Sequence, residues 1–297
     1  MASPRVAQMS DGRPEYDYRE AFRRNLGFVS AAQQQRLLES RVAIAGLGGT
    51  GGAQVHSLAR MGIGRFHLAD PDVFELVNFN RQSGATMATI GRRKTAVSRE
   101  LIASINPDAD VVLFEDGINA DNVGSFLDGV DVIVDSLDFY CFNERFLLYG
   151  EARKRGLWVL TAPPLGFGFT LLAFDPQGMR FEDYFGFKPG MSERELGIAL
   201  IAGIAPAALM MRYLDPAALD VAGHQLPSVG AAPFMIAGVM AAEVTGLLTG
   251  KGKPLAVPTL YQFDALLKTF RRRTYRFGTR GPLQSLKKAM LRRKLPA

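Results

Sequence analysis

The stretch AIAGLGGTGGAQVH, residues 43–56, passes from an apolar strand-like segment through glycines into a helix-like sequence. Gly46, Gly48 and Gly51 make G-x-G-x-x-G, and Gly49 and Gly52 add further freedom. Such a pattern serves a tight turn, a backbone that approaches phosphate with no Cβ in the way, and helix N-terminal amides aimed at an anion. The pyrophosphate of NAD or FAD and the triphosphate of ATP both suit it.

Around this stretch, the short β-rich runs RVAIAG, RFHLAD, DVVLFED, VDVIVDS and LWVLTAP alternate with amphipathic segments. That alternation reads as βαβ units. The expected fold class is α/β, a Rossmann-like, doubly wound, mostly parallel sheet that continues into antiparallel strands and is flanked by helices. The antiparallel part is expected in GFGFTLLAFDPQGMRF (166–181), as a hairpin about Asp175-Pro176-Gln177-Gly178. Ahead of the sheet, residues 1–40 read as an N-terminal helical segment, with Ser30 as an N-cap.

Residues 196–211 and 229–242 carry no charged side chain. At 16 and 14 residues, with Pro206 and Pro233 inside, they fall short of the about 20 needed for a membrane span and are expected as buried or subunit-interface helices.

A length of 297 residues with 47% hydrophobic residues supports a large core. Cys141 is the one cysteine, which excludes an intramolecular disulfide framework and a multi-cysteine zinc site. The N-terminus has no secretion pattern, so a cytoplasmic location is expected. Eleven of the 35 Lys and Arg residues follow Asp264, leaving 24 against all 29 acidic residues in residues 1–264. The body is therefore mildly acidic and the tail strongly basic.

Asp70 ends the second strand, where an acid accepts from ribose hydroxyls. DPDVFELVNFNRQ then brings Asn78, Arg81 and Gln82, and IGRRK brings Lys94. Cations near the phosphates favour ATP over a dinucleotide, because charge develops on a leaving pyrophosphate. Asp135 and Asp138 close the fourth strand at the sheet's carboxyl edge, and a carboxylate facing a triphosphate suits Mg²⁺.

These motifs, GLGGTG, LADPD, NFNRQ, GRRK and DSLD in this order, resemble the ThiF/MoeB/HesA-type adenylyltransferases, which share their fold with ubiquitin-activating enzymes. The resemblance covers roughly residues 18 to 265. It implies attack of a carboxylate on the α-phosphate of ATP, giving an acyl-adenylate and pyrophosphate. On this resemblance Gly46, Gly48, Gly49, Gly51 and Asp70 hold nucleotide, Asn78, Arg81, Gln82 and Lys94 position phosphates, and Asp138 binds Mg²⁺. Arg24, in FRRN, resembles the arginine that reaches a partner subunit's ATP, which implies a homodimer. The carboxylate belongs to a small ubiquitin-like or sulfur-carrier protein, a peptide or a small molecule. Its recognition is expected after about residue 164 within a domain spanning 41–265, with FEDYFGFKPG and AGHQLPSVG as loops lining an acceptor groove.

Where relatives follow the metal aspartate with asparagine and later arginine, this chain has Phe139 and Asn143, with Arg145 nearby. Three scattered histidines, His56, His67 and His224, read as structural, and no zinc is expected. Cys141 lies outside the segment that carries the acyl-accepting cysteine in relatives, and reads as an inert thiol. An NAD(P)- or FAD-dependent oxidoreductase would leave Arg81, Lys94 and Asp138 unexplained; an idle adaptor of the same fold is suggested only by Phe139 and Asn143. In the basic tail, residues 266–297, Leu283, Leu286, Met290 and Leu291 recur at helical spacing. That amphipathic helix suits an acidic partner, an anionic membrane surface or plain solvation; nucleic acid is not expected.

Overall fold

The computed structural model describes residues 15–218 and 226–294. In β1 (Arg41–Ala45), Val42 and Ile44 face one core while Ala43 and Ala45 face the other, as a strand covered on both sides requires. Next to it run β2 (Arg65–Ala69), β3 (Asp110–Phe114), β4 (Val132–Asp135) and β5 (Trp158–Thr161), all parallel in the order β3-β2-β1-β4-β5. The short β6 (Pro164–Leu165) then leads into β7 (Gly168–Phe174), β8 (Thr259–Asp264) and β9 (Thr269–Thr274), which extend the sheet antiparallel. The expected mixed, doubly wound sheet is therefore present.

Ten α-helices lie among the described residues: α1 (Tyr18–Ala21), α2 (Ala31–Glu39), α3 (Gly49–Arg60), α4 (Lys94–Ile105), α5 (Val123–Phe126), α6 (Phe142–Lys154), α7 (Phe181–Phe185), α8 (Glu193–Ile204), α9 (Ala231–Thr249) and α10 (Pro282–Lys294). One core joins the sheet to α2, α3, α4 and α9 through Leu37, Val55, Leu58, Ile102, Ile236 and Met240. The other core joins it to α5, α6, α7 and α8 through Phe126, Leu148, Tyr149, Phe181, Tyr184 and Leu200. Ser30 caps α2 as expected, accepting the Gln33 amide while the Gln33 side chain accepts the Ser30 amide.

Two local expectations need correction. The turn at Asp175–Gly178 does not join two strands. Beyond it the chain enters α7, because Phe181, Tyr184 and Phe185 recur at helical spacing and pack against Phe174 and one another. The hairpin lies earlier, where Leu165 pairs with Gly168 across Gly166 (φ +62°). The second uncharged run belongs to a helix of 19 residues with mean hydropathy 1.6, the one helix among the described residues long and apolar enough to cross a membrane. Shortness thus does not exclude a span for α9; within the fold Ile236, Met240 and Val244 are fully buried, and the helix rests on α2, α3 and β7. Glu243, which ended the uncharged run, accepts the Tyr261 hydroxyl at 3.1 Å.

Both flanking segments are tied into the fold. Leu37 of α2 is buried in the first core, and β9 takes Arg271, Arg272 and Arg273 of the basic segment into an edge strand. Cationic side chains on an edge discourage pairing with another chain.

Candidate functional site

The order of the parallel strands reverses between β1 and β4, whose ends pair at Ala45 and Asp135. A sheet of this kind opens a crevice at that reversal, outside the carboxyl ends of the strands. The glycine loop leaves β1 there and the Asp138 loop leaves β4 there.

The glycines of the loop divide by what surrounds them. Gly46 has φ +87°, and a Cβ on it would overlap the Ser136 carbonyl. A Cβ on Gly51 would overlap Gly46 O, so this glycine lets α3 start directly against the turn. At Gly48 the nearest atom to an added Cβ is Gln82 Nε2 at 3.6 Å, and at Gly49 it is Arg81 O at 3.4 Å, both tolerable. The protein itself does not require glycine at 48 or 49, whereas a phosphate resting on the α3 amides does.

Asp70 is 5% exposed, and both its oxygens serve the backbone. Oδ2 accepts the Leu47 amide at 2.6 Å and Oδ1 accepts the Asp72 amide at 2.9 Å. Burial raises its carboxyl above the usual carboxylate range, with Lys94 opposing the rise. Lys94, 5% exposed at the start of α4, holds Asp72 Oδ2 at 2.8 Å. A chain of contacts thus runs from Lys94 through Asp72 and Asp70 to the glycine loop. Sequence reasoning passed over Asp72, although its place in LADPD was the signal.

Arg81 and Gln82 flank the loop from the other side. Arg81 Cγ lies 3.6 Å from the Cβ position of Gly49, and Nη1 donates to Val77 O and Asn80 Oδ1. Gln82 is 6% exposed, and its Oε1 has no hydrogen-bond partner. Asn78 is buried; its Oδ1 accepts the Glu75 amide, and its carbonyl accepts the Arg81 and Gln82 amides. It therefore shapes the turn that presents the other two. Ser228 accepts the Asn80 side-chain amide at 2.9 Å, which sets residues 226–230 beside this turn.

Asp138 is exposed at the end of the other loop, with Oδ1 accepting the Phe139 amide at 2.7 Å. Arg145 is not aimed at ligand. It is buried, its Nε meets Asp135 Oδ2 at 3.1 Å, and its Nη atoms donate to the carbonyls of Leu137, Asp138 and Phe139. Asp135 also accepts from Tyr149 and the Leu137 amide. This network clamps the segment that carries Asp138. Phe139 packs on Gly197 of α8, and Asn143 is exposed on α6.

The remaining candidates lie elsewhere. Arg24 is exposed in the 3₁₀ turn Arg23–Asn25 and lines a cleft with Arg60 and Ser104, at the end of α3 away from the glycine loop. Twelve helical residues, about 18 Å, separate the two ends. Burial pushes the Cys141 thiol up to about 11, against nucleophilic use at neutral pH. His56 accepts from Arg60 Nε, and His67 Nδ1 bonds Phe126 O; His224 lies outside the described residues. Of the supposed acceptor loops, Phe181–Phe185 is a buried helix, and residues 219–225 lie outside the described part. Among the described residues no group of three or more His, Cys, Asp or Glu side chains is arranged to hold a metal ion. A single carboxylate such as Asp138 suits only an ion shared with substrate phosphates.

The model of the ThiF family matches residues 22–280. The tRNA threonylcarbamoyladenosine dehydratase of Bacillus subtilis is 32% identical over 142 residues, 48% of this chain and 55% of the relative. The sulfur carrier protein adenylyltransferase of Thermus thermophilus is 29% identical over 255 residues, 86% of each chain. The first of these is thus matched over only about half its length. The crystal structure of E. coli MccB with ATP superposes with a TM-score of 0.59 over 84% of this chain and 66% of that one, at 20% identity, and shares the fold.

Proposed function

The chain belongs to the ThiF family, and from that premise we propose that it is an ATP- and Mg²⁺-dependent adenylyltransferase acting on a carboxylate. The observation that carries this reading is the meeting of Arg81 and Gln82 with Gly49 and Gly48 at the amino end of α3. The stem of Arg81 and the buried amide of Gln82 lie there, while the Arg81 guanidinium rests on Val77 O and Asn80 Oδ1; an arginine so placed, with a free amide oxygen beside it, suits a triphosphate seated on helix amides.

In this reading the carboxylate is already ionised at neutral pH and needs no general base. Its oxygen bonds to the α-phosphorus of ATP while the bond to the bridging oxygen breaks and pyrophosphate leaves. The α3 amides hold the phosphates, Arg81 and Lys94 offset the charge that moves onto the leaving group, and Asp70 keeps the loop in shape. Asp138 would be the residue to hold a Mg²⁺ ion, whose charge would help offset that of the phosphates. Arg145 fixes the height and direction of Asp138. Orientation and electrostatics thus supply the catalysis.

The acceptor we favour is the C-terminal carboxylate of a small carrier protein, on the strength of the Thermus relative that is matched over 86% of its length. Arg24 then acts in a second subunit of a homodimer. Its distance from the glycine loop of its own chain and the 85% exposed Phe28 close to it favour that role. Exchange of labelled pyrophosphate into ATP, with carrier-type proteins, peptides and small carboxylates as acceptors, tests the reading. Acceptor-dependent exchange that disappears in Asp138→Ala supports it; hydride transfer to or from a nicotinamide in place of exchange overturns it.

A further inference from the structure

Helix α10 is built inside out for a surface helix. Gln284 is 2% exposed with neither side-chain polar atom hydrogen-bonded, whereas Lys287 donates to the Pro206 carbonyl and Lys288 Nζ reaches Thr279 Oγ1 at 3.5 Å. Arg194 of α8 donates to the Arg292 carbonyl at 2.8 Å. Polar groups therefore attach the helix to the body. Leu283, Leu286 and Met290, at i, i+3 and i+7, face away from it and are 57%, 60% and 51% exposed. Phe277, 65% exposed, stands beside Gly281 at the start of the helix.

Exposed arginines border this row, with Arg280 and Phe277 at one end and Arg293 one turn beyond Met290 at the other. No acidic residue follows Asp264. The helix also begins beyond residue 280, where the family match ends.

We propose that the outer face of α10 docks on an anionic lipid bilayer, with Leu283, Leu286 and Met290 entering the headgroup boundary and the surrounding arginines meeting lipid phosphates. Charge complementarity selects an anionic surface. Shape separates a bilayer from an acidic polypeptide: the row is the crest of one helix. Crests of this kind insert into an interface between water and hydrocarbon. The inference does not depend on the adenylation chemistry.

Flotation of the full-length chain with vesicles of phosphatidylcholine alone, or of phosphatidylcholine with phosphatidylglycerol, tests it. Binding is expected only to the vesicles that contain phosphatidylglycerol, and the double variant Leu286→Ser, Met290→Ser should bind them roughly tenfold or more weakly. Its melting temperature should not move, since neither side chain is buried. Failure to bind phosphatidylglycerol vesicles overturns the proposal. So does binding that the double variant retains in full, which would mark simple charge attraction. A third contrary result is binding of poly-glutamate, weakened by the double variant, without binding to vesicles.

Discussion

The carbonyl oxygen of Gly46 fills the space that a Cβ on Gly51 would need. This relationship fixes the entry of α3 against the end of β1 and gives Gly51 a structural duty. Gly48, whose added Cβ would meet only the Gln82 side chain, at 3.6 Å from Nε2, has no such duty.

Gly51→Ala should therefore destabilise the fold by several kcal/mol, about 3 by analogy with overpacked cores. Gly48→Ala should leave the melting temperature within about 2 °C while weakening ATP binding at least about tenfold, since its methyl group meets phosphate. Calorimetry for stability and titration with ATP for binding separate the two.

Lys94 is buried, but the side chain of its partner Asp72 is 62% exposed. Removal of the amine leaves a carboxylate that water can reach, so Lys94→Met should cost about 1 kcal/mol of stability or less. Loss of a charge facing the departing pyrophosphate should lower the adenylation rate by about 10²- to 10³-fold. Pyrophosphate release under saturating ATP measures the rate, and urea unfolding the stability.

Arg145 and Asp135 are buried as a pair, with side chains 9% and 1% exposed. Arg145→Met strands the carboxylate and should cost about 3–5 kcal/mol. Adding Asp135→Asn removes that charge and should restore part of the loss, although the clamp on the Leu137, Asp138 and Phe139 carbonyls stays broken. Urea midpoints of the single and double variants check both statements.

Burial lowers the proton affinity of His67, packed between Phe114 and Phe126, below that of an ordinary imidazole. As pH falls below about 6.5, the unfolded chain takes up a proton that the folded chain holds off. Its contribution to stability is complete above that pH and lost progressively on acidification. Melting temperature should fall from pH 7 to pH 5, and His67→Asn should flatten that slope even if the whole curve lies lower. His56, lowered by burial and by Arg60, adds a slope of the same sign.

Much of this was legible because it depends on local chemistry. A glycine with no room for a Cβ, a serine three residues before a glutamine and an apolar run covered on both faces leave direct marks in the sequence. Direction was harder to read. The Asp175–Gly178 turn signal says that the chain bends, not whether a strand or a helix comes after the bend, and the helical spacing of Phe181, Tyr184 and Phe185 held the answer. Arg145 is marked in the sequence only by its nearness to Asn143, and its binding of Asp135 and three carbonyls leaves no mark there. Asp70 resembles a ribose ligand by position, yet both its oxygens already bind backbone amides. Leu283, Leu286 and Met290 announce an amphipathic helix, but only the burial of Gln284 and the bond from Lys287 to the Pro206 carbonyl show that these three side chains face out.

The central claim is that the glycine loop with Arg81, Lys94 and Asp138 forms a triphosphate site. Thermal melting of the purified chain with Mg-ATP and with NAD, alongside the Lys94→Ala, Asp138→Ala double variant, tests it most directly. We expect Mg-ATP at about 100 times its dissociation constant to raise the midpoint by about 5 °C or more, NAD to leave it unchanged, and the double variant to lose the rise. A rise with NAD, or with neither nucleotide, would contradict the account.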